Sequence, residues 1–272
     1  MWIALAVLLL VAALWIALIL PARSTKAQRA PFVRRMFAHR GLFSADQAVP
    51  ENSLPAFRAA AAAGYGVELD VQLTKDKVVV VFHDDDLKRV CGVEARVDAY
   101  TFAELQAFPL LDTAERIPTF SDVLAVLDGK IPMIVELKSS GDWKTLCEKT
   151  LALLLEYRGD YCVESFHPLL VRWFYQHAPQ ILRGQLSEAA RFSRKYVPWY
   201  QALMMSRLFT NILVHPQFIA YHIGPKCLSA RLCEAMGAMR VAWTAHPADD
   251  QAKLTERNDA IIFEHYRPEP RF

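Results

Sequence analysis

Only residues 73–77 separate two strand-like runs, GVELDVQ (66–72) and VVVVFHD (78–84). A crossover between parallel strands needs roughly a dozen residues or more. The two runs must therefore fold back on each other as an antiparallel hairpin, with TKDK as the turn. Elsewhere strands alternate with helices. The remaining candidate strands are MFAHRG (36–41), PMIVELK (132–138), YCVESF (161–166), LRGQLS (182–187), ILVHPQ (212–217), RVAWTAH (240–246) and AIIFEH (260–265). Amphipathic segments such as SLPAFRAAAAAG, TFSDVLAVL, WKTLCEKTLALLLEYRG, HPLLVRWFYQHAP and LSARLCEAMG lie between most of them. Setting the fold-back run aside leaves eight parallel strands, and the fold class is α/β, a (β/α)8 TIM barrel over residues 36–272.

The hairpin carries a geometric expectation. With a four-residue turn at 74–77, paired positions sum to 151 and His83 falls opposite Glu68. Glu68 and Asp70 are two apart and share a strand face, and a directly opposite residue shares it too. A register error of one would undo this placement. Residues 85–117 lack a strand–helix rhythm and read as a small insertion after the second strand, with Leu87, Phe102, Leu105, Phe108, Leu110 and Leu111 available for a minor core.

Residues 2–20 are 19 consecutive apolar residues. As a helix they reach about 28 Å, close to the hydrocarbon thickness of a bilayer. The competing reading, a cleaved signal peptide, is opposed by the missing basic n-region and the weak cleavage site. Residues 1–22 are therefore expected to form a single transmembrane anchor and 23–35 a basic juxtamembrane linker. Arg23, Lys26, Arg29, Arg34 and Arg35 follow the run with no acidic residue among them. The positive-inside rule then places the barrel on the cytoplasmic side of the cell membrane, and the same charges could grip anionic headgroups. Beyond residue 35 there are 26 basic and 29 acidic residues, a formal −3 that argues against a nucleic-acid partner. The five cysteines (91, 147, 162, 227, 233) show no zinc or redox spacing and fit a reducing compartment. Segment 191–210 mixes bases, aromatics and methionines; it reads as a helix packed on the barrel and kinked at Pro198, or as a membrane-interface element.

Chemistry concentrates between residues 37 and 84. His39, Arg40, Glu51, Glu68, Asp70 and His83 stand beside apolar runs, a set suited to metal-assisted phosphoryl transfer. The order and spacing of HRG, PENS, ELDV, TKD and HD resemble the glycerophosphodiester phosphodiesterases. The likeness continues through LKRVCG (87–92), IPTFSDVL (117–124), VELK (135–138), ESF (164–166) and AWT (242–244). The resemblance implies a metal-dependent enzyme on a (β/α)8 barrel, cleaving glycerophosphodiesters to an alcohol and glycerol phosphate. It implies Glu68, Asp70 and Glu136 as ligands of a divalent ion, and hard carboxylate oxygens suit Mg²⁺ or Ca²⁺. His39 and His83 correspond to the acid–base pair. Arg40 and Lys138 correspond to a phosphate clamp, which requires the first strand to end before Arg40, as Gly41 permits.

Glu51 reads either as a carboxylate favoured at a helix N-terminus or, by resemblance, as a contact of the metal shell or the glycerol. Trp243 would wall the pocket or fill the core. His167, His177, His222 and His246 are read as structural. The chain departs from the family pattern in PENS for PENT, ESF for QSF, AWTAH for a WTVN-like end, and FEH (263–265) where an aspartate is usual. The expected substrate is a small glycerophosphodiester such as glycerophosphocholine or glycerophosphoethanolamine. Lysophospholipase D-type action on a lysolipid, or a non-catalytic lipid-binding barrel, are the alternatives.

Overall fold

The computed structural model describes residues 1–139, 141–195 and 197–272. Eight parallel strands close into a barrel: β1 (Arg35–Ala38), β2 (Gly66–Leu73), β4 (Met133–Leu137), β5 (Tyr161–Ser165), β6 (Arg183–Ser187), β7 (Phe218–His222), β8 (Met239–Ala245) and β9 (Ala260–Phe263). β1 pairs with both β2 and β9, which completes the ring. β3 (Val79–Val81) lies antiparallel on β2. The helices in chain order are α1 (Trp2–Ile19), α2 (Lys26–Arg29), α3 (Leu54–Ala62), α4 (Lys88–Cys91), α5 (Phe102–Leu105), α6 (Phe120–Leu127), α7 (Trp143–Glu156), α8 (Pro168–His177), α9 (Ala190–Ser193), α10 (Trp199–Ser206), α11 (Asn211–Val214), α12 (Leu228–Ala235) and α13 (Gln251–Arg257). Side-chain caps start several of them; Ser53, Thr119, Asp142 and Asp250, for instance, each accept a backbone N–H of the first turn.

The antiparallel fold-back is present, but its register differs from the expectation by one. Pairs Val71–Val81, Gln72–Val80 and Leu73–Val79 sum to 152. Thr74 closes the loop, with its N–H donating to the Val78 carbonyl. The connection is thus three residues long, and Lys77 sits at φ +64°, as a three-residue hairpin with a left-handed last position requires. His83 is consequently not opposite Glu68; β3 has ended at Val81 before it.

One other expectation also changes. ILVHPQ is not a strand: residues 211–214 are helical, and the sixth barrel strand, β7, is FIAYH, immediately after it. Its short apolar run was legible as strand or helix by periodicity alone. The linker, residues 23–35, lies against the barrel. The Ala22 N–H donates to the Pro216 carbonyl, Gln28 reaches the Gln180 carbonyl and Arg29 that of Gly237. Arg35 is itself buried in β1.

The inside of the barrel is layered. Its lower half is apolar, with Phe32, Phe37, Ile134, Cys162, Phe218 and Ile262 packed together. Phe37 lies over Gly66, where a Cβ would come within 2.4 Å of its ring, and Phe218 lies over Gly184, where the gap would be 2.0 Å. Glycine at these two positions makes room for the aromatic plug, and Phe32, stacked 6.2 Å from Phe37, seals it from below. Polar side chains therefore collect in the upper half, at the C-terminal ends of the strands. Residues 85–117 form a separate small core around Leu87, Val97, Leu105 and Leu110. The hairpin loop holds this unit, because Asp76 accepts the Phe102 N–H.

Candidate active site

Strand alternation and register assemble the carboxylates. Asp70 of β2 pairs in register with Glu136 of β4, which pairs with Glu164 of β5. Three acidic side chains thus stand side by side at one level above the plug, and Glu68 lies one inward step below Asp70. Ligand atoms of Glu68, Asp70 and Glu136 all lie within 4.8 Å of one another, and all three residues are buried. Lys138 Nζ lies 2.8 Å from both Asp70 Oδ1 and Glu136 Oε1.

The cluster carries more negative charge than its neighbours neutralise. Burial, compounded by Asp70, Glu136 and Glu164, pushes the Glu68 carboxyl well above the usual range. Burial also raises Glu136, against the pull of Lys138. Asp70 goes the other way: burial would raise it, but Lys138, His83 and Arg40 outweigh that and hold it well below the usual range. Glu164 is raised by burial, Glu136 and Asp70, and its Oε2 is buried without a hydrogen-bond partner. An orphaned oxygen and crowded carboxylates are what a hard divalent cation would relieve, so the donor set fits one.

His39 follows the end of β1, and its Nδ1 lies 2.6 Å from Glu264 Oε2. That leaves Nε2 turned inward, 3.9 Å from Glu68 Oε2. Burial lowers the imidazole below 6.5 although Glu264 supports its charged form. His83 Nδ1 lies 2.6 Å from Asp84 Oδ1, and Asp84 is also held by Arg89. Despite the shifted hairpin register, His83 remains close enough to Asp70 to stabilise its charge. β3 ends early, and the chain turns His83 toward the cluster from outside the ladder.

Arg40 occupies a left-handed position (φ +55°), and Gly41 (φ +81°) packs against Ala56, so the chain breaks after Ala38 as the dual use of His39 and Arg40 demands. The Arg40 N–H donates to Glu68 Oε2, its Nη1 lies 2.8 Å from Glu51 Oε1, and its Nε lies 3.7 Å from Asp70 Oδ2. Glu51 does not join the carboxylate cluster. Its oxygens receive Arg40 and both terminal nitrogens of Arg89, so it ties the insertion to the barrel rim. Trp243 donates from Nε1 to the Ala220 carbonyl and meets Phe166 and His222 edge-on, 5.5 and 5.1 Å between ring centres.

The profile of the glycerophosphoryl diester phosphodiesterase family matches residues 39–258, which contain every one of these groups except Glu264. The chain belongs to that family. A glycerophosphodiester phosphodiesterase of Caldanaerobacter subterraneus subsp. tengcongensis is 29% identical over 239 residues, covering 84% of this chain and 92% of the relative. One from Bacillus altitudinis is 34% identical over 161 residues, covering 54% of this chain and 64% of the relative. Among solved structures, an Oleispira antarctica phosphodiesterase in complex with the product sn-glycerol-3-phosphate superposes with a TM-score of 0.70 at 23% identity, covering 86% of this chain and 94% of that one. That likeness supports the TIM-barrel fold.

Within this phosphodiesterase, three residues escaped the sequence reading. Glu164 appeared there only as a departure in ESF; its position two strands from Asp70, in register with the glutamate of VELK, was the available signal. Glu264 appeared only as a departure in FEH, yet its carboxylate accepts from His39, and that contact draws it down to about 2 against the cost of burial. Asn52, also left-handed (φ +53°), donates from Nδ2 to Asp70 Oδ2 at 2.9 Å. Ser53, the next residue, caps α3.

Proposed function

We propose that this phosphodiesterase hydrolyses glycerophosphodiesters such as glycerophosphocholine or glycerophosphoethanolamine to an alcohol and sn-glycerol 3-phosphate. Glu68, Asp70 and Glu136 would hold one divalent cation, Mg²⁺ or Ca²⁺. The observation that carries this reading is the convergence of those buried carboxylates beside the free Nε2 of His39. Bound there, the cation would offset charge that grows on the phosphodiester oxygens.

The chain's own groups supply the rest. Arg40 and Lys138 draw the phosphate toward the cluster, and Glu51 keeps the Arg40 guanidinium in place. His39 is neutral at cellular pH, and Glu264 holds its Nδ1–H, so Nε2 accepts the proton of the attacking oxygen. As that oxygen bonds to phosphorus, the bond to the alcohol breaks. His83, its Nδ1 held by Asp84, passes a proton from Nε2 to the departing oxygen. Trp243, with Phe166 and His222, walls the side of the mouth away from the carboxylates. We further propose that α1 spans the cell membrane as a single anchor, with the barrel on the cytoplasmic side. Its residues 2–14 are exposed and apolar, and the basic residues follow the helix.

Hydrolysis of glycerophosphocholine, measured with and without chelator, tests the reading. Chelator should abolish turnover, and His39→Ala and His83→Ala should each lower it about a hundredfold or more. Turnover that survives chelator and both substitutions would remove the assignment, as would binding of diester without cleavage.

A further inference from the structure

We infer that the barrel sits with its catalytic mouth against the lipid bilayer, and that the crown formed by α10 sinks into the headgroup layer. The inference rests on the proposed membrane-spanning role of α1. The first argument is direction. The barrel strands run from the plugged base to the mouth, so α12, which follows β7, starts at the mouth and descends. Trp15 Nε1 donates to Ser229 Oγ at the top of α12. Four residues on, the Ile19 carbonyl accepts from Asn211, which also contacts Cys233, four residues further down α12. Ala22 then meets Pro216, just before β7, and Arg29 meets Gly237 at the base. α1 therefore descends alongside α12, and its N-terminal part projects beyond the mouth.

The second argument is length. Trp15, Leu18 and Ile19 pack on the barrel wall, which leaves residues 2–14 free. They reach about 20 Å, against about 30 Å of hydrocarbon. With the barrel held in water, the free helix falls about 10 Å short. Interfacial apolar faces sink about 5–10 Å into the headgroup and acyl boundary, which closes the gap if the rim beside α1 goes in with it.

That rim is built for the purpose. On α10, Trp199, Tyr200, Leu203 and Met204 fall on one face and are exposed, Trp199 to 64%, while Ala202 and Ser206 face the protein. The Ser206 carbonyl accepts from Cys227, which places the α10 end beside the exposed Leu228 at the top of α12. Arg191, Arg194 and Lys195 are exposed on the neighbouring turn, where anionic headgroups would meet them. Tryptophan and tyrosine beside basic residues match the composition of a membrane interface. The basic residues 23–35 then stand at the far end of the barrel, away from the lipid. In this seat a diester reaches Glu68, Asp70 and Glu136 from the headgroup layer.

The test uses the full chain in vesicles of phosphatidylcholine and phosphatidylglycerol, and in nanodiscs holding one chain each. Subtracting the fluorescence of the Trp199→Phe variant isolates that one indole. Its emission should be quenched by phosphatidylcholine brominated near the carbonyl end of the acyl chain, and should lose its sensitivity to aqueous iodide. An indole that iodide quenches and bromolipid does not overturns the proposal. So does iodide shielding that is present in vesicles and lost in single-chain nanodiscs, because a second copy would then be covering the crown. The same subtraction with Trp2→Phe reports separately on the span: absence of bromolipid quenching there removes the anchor on which the seat depends. Diester hydrolysis by the same vesicles reports on the enzymatic reading alone, and its failure beside a quenched Trp199 would leave the seat standing.

Discussion

Replacing Glu264 by glutamine should move the acid limb of the pH–rate profile downward while slowing the enzyme. In the proposed mechanism His39 works as a neutral base, so activity is lost as pH falls through the pKa of its imidazole. Burial sets that pKa below 6.5, and the Glu264 carboxylate 2.6 Å away holds it up by stabilising the imidazolium. The reciprocal effect draws Glu264 from 4.5 down to about 2, which at 1.36 kcal/mol per pH unit corresponds to about 3 kcal/mol of coupling. His246 and His265 share part of that coupling, at 3.5 and 3.6 Å. Solvent at the partly open carboxylate screens roughly half of the remainder.

The Glu264→Gln variant should therefore show an acid limb at lower pH. Its plateau rate should fall about 10²- to 10⁴-fold, as the ring loses the acceptor that fixes its tautomer. The assay is kcat/KM for glycerophosphocholine between pH 4 and 9, at saturating cation. A limb that stays in place or moves upward, with the plateau unchanged, would refute the role given to this pair.

Glu164→Gln removes one charge from an overcrowded cluster, so the metal-free protein should melt at a higher temperature. Its stabilisation by Mg²⁺ or Ca²⁺ should shrink, which calorimetry with and without the ion would show. Phe32→Ala opens the base of the barrel and should cost about 3–5 kcal/mol in urea unfolding; a loss under 1 kcal/mol would mean that residues 23–35 contribute little to the closed fold. Lys77→Gly relieves a left-handed position and should stabilise the fold by about 0.5–1 kcal/mol. The Lys77–Asp142 ion pair given up is exposed and worth little.

Much of this was legible in the chain. A five-residue gap dictated the fold-back, because chain length limits crossovers whatever the packing. Alternation placed Glu68 with Asp70 and Glu136 with Lys138, because period-two geometry is local. The hairpin register was not legible: a three-residue loop and a four-residue turn share one sequence, and Lys77 accepts a conformation that disfavours it so that β2 and β3 keep their ladder. β7 was misplaced because three apolar residues, Ile212 to Val214, suit a helical turn as well as a strand, and packing against α8 and α1 decided between them.

By itself, the sequence determined the elements, their order, the apolar N-terminal run and the residues able to do chemistry, since all of these depend on neighbours along the chain. Only the closed barrel decided that Glu164 crowds the carboxylates, that Glu264 accepts the Nδ1–H of His39, and that α1 leaves from the side of the mouth. Those relations join residues from 28 positions apart (Glu136 and Glu164) to 225 (His39 and Glu264). They exist only after burial and strand register have brought such residues together.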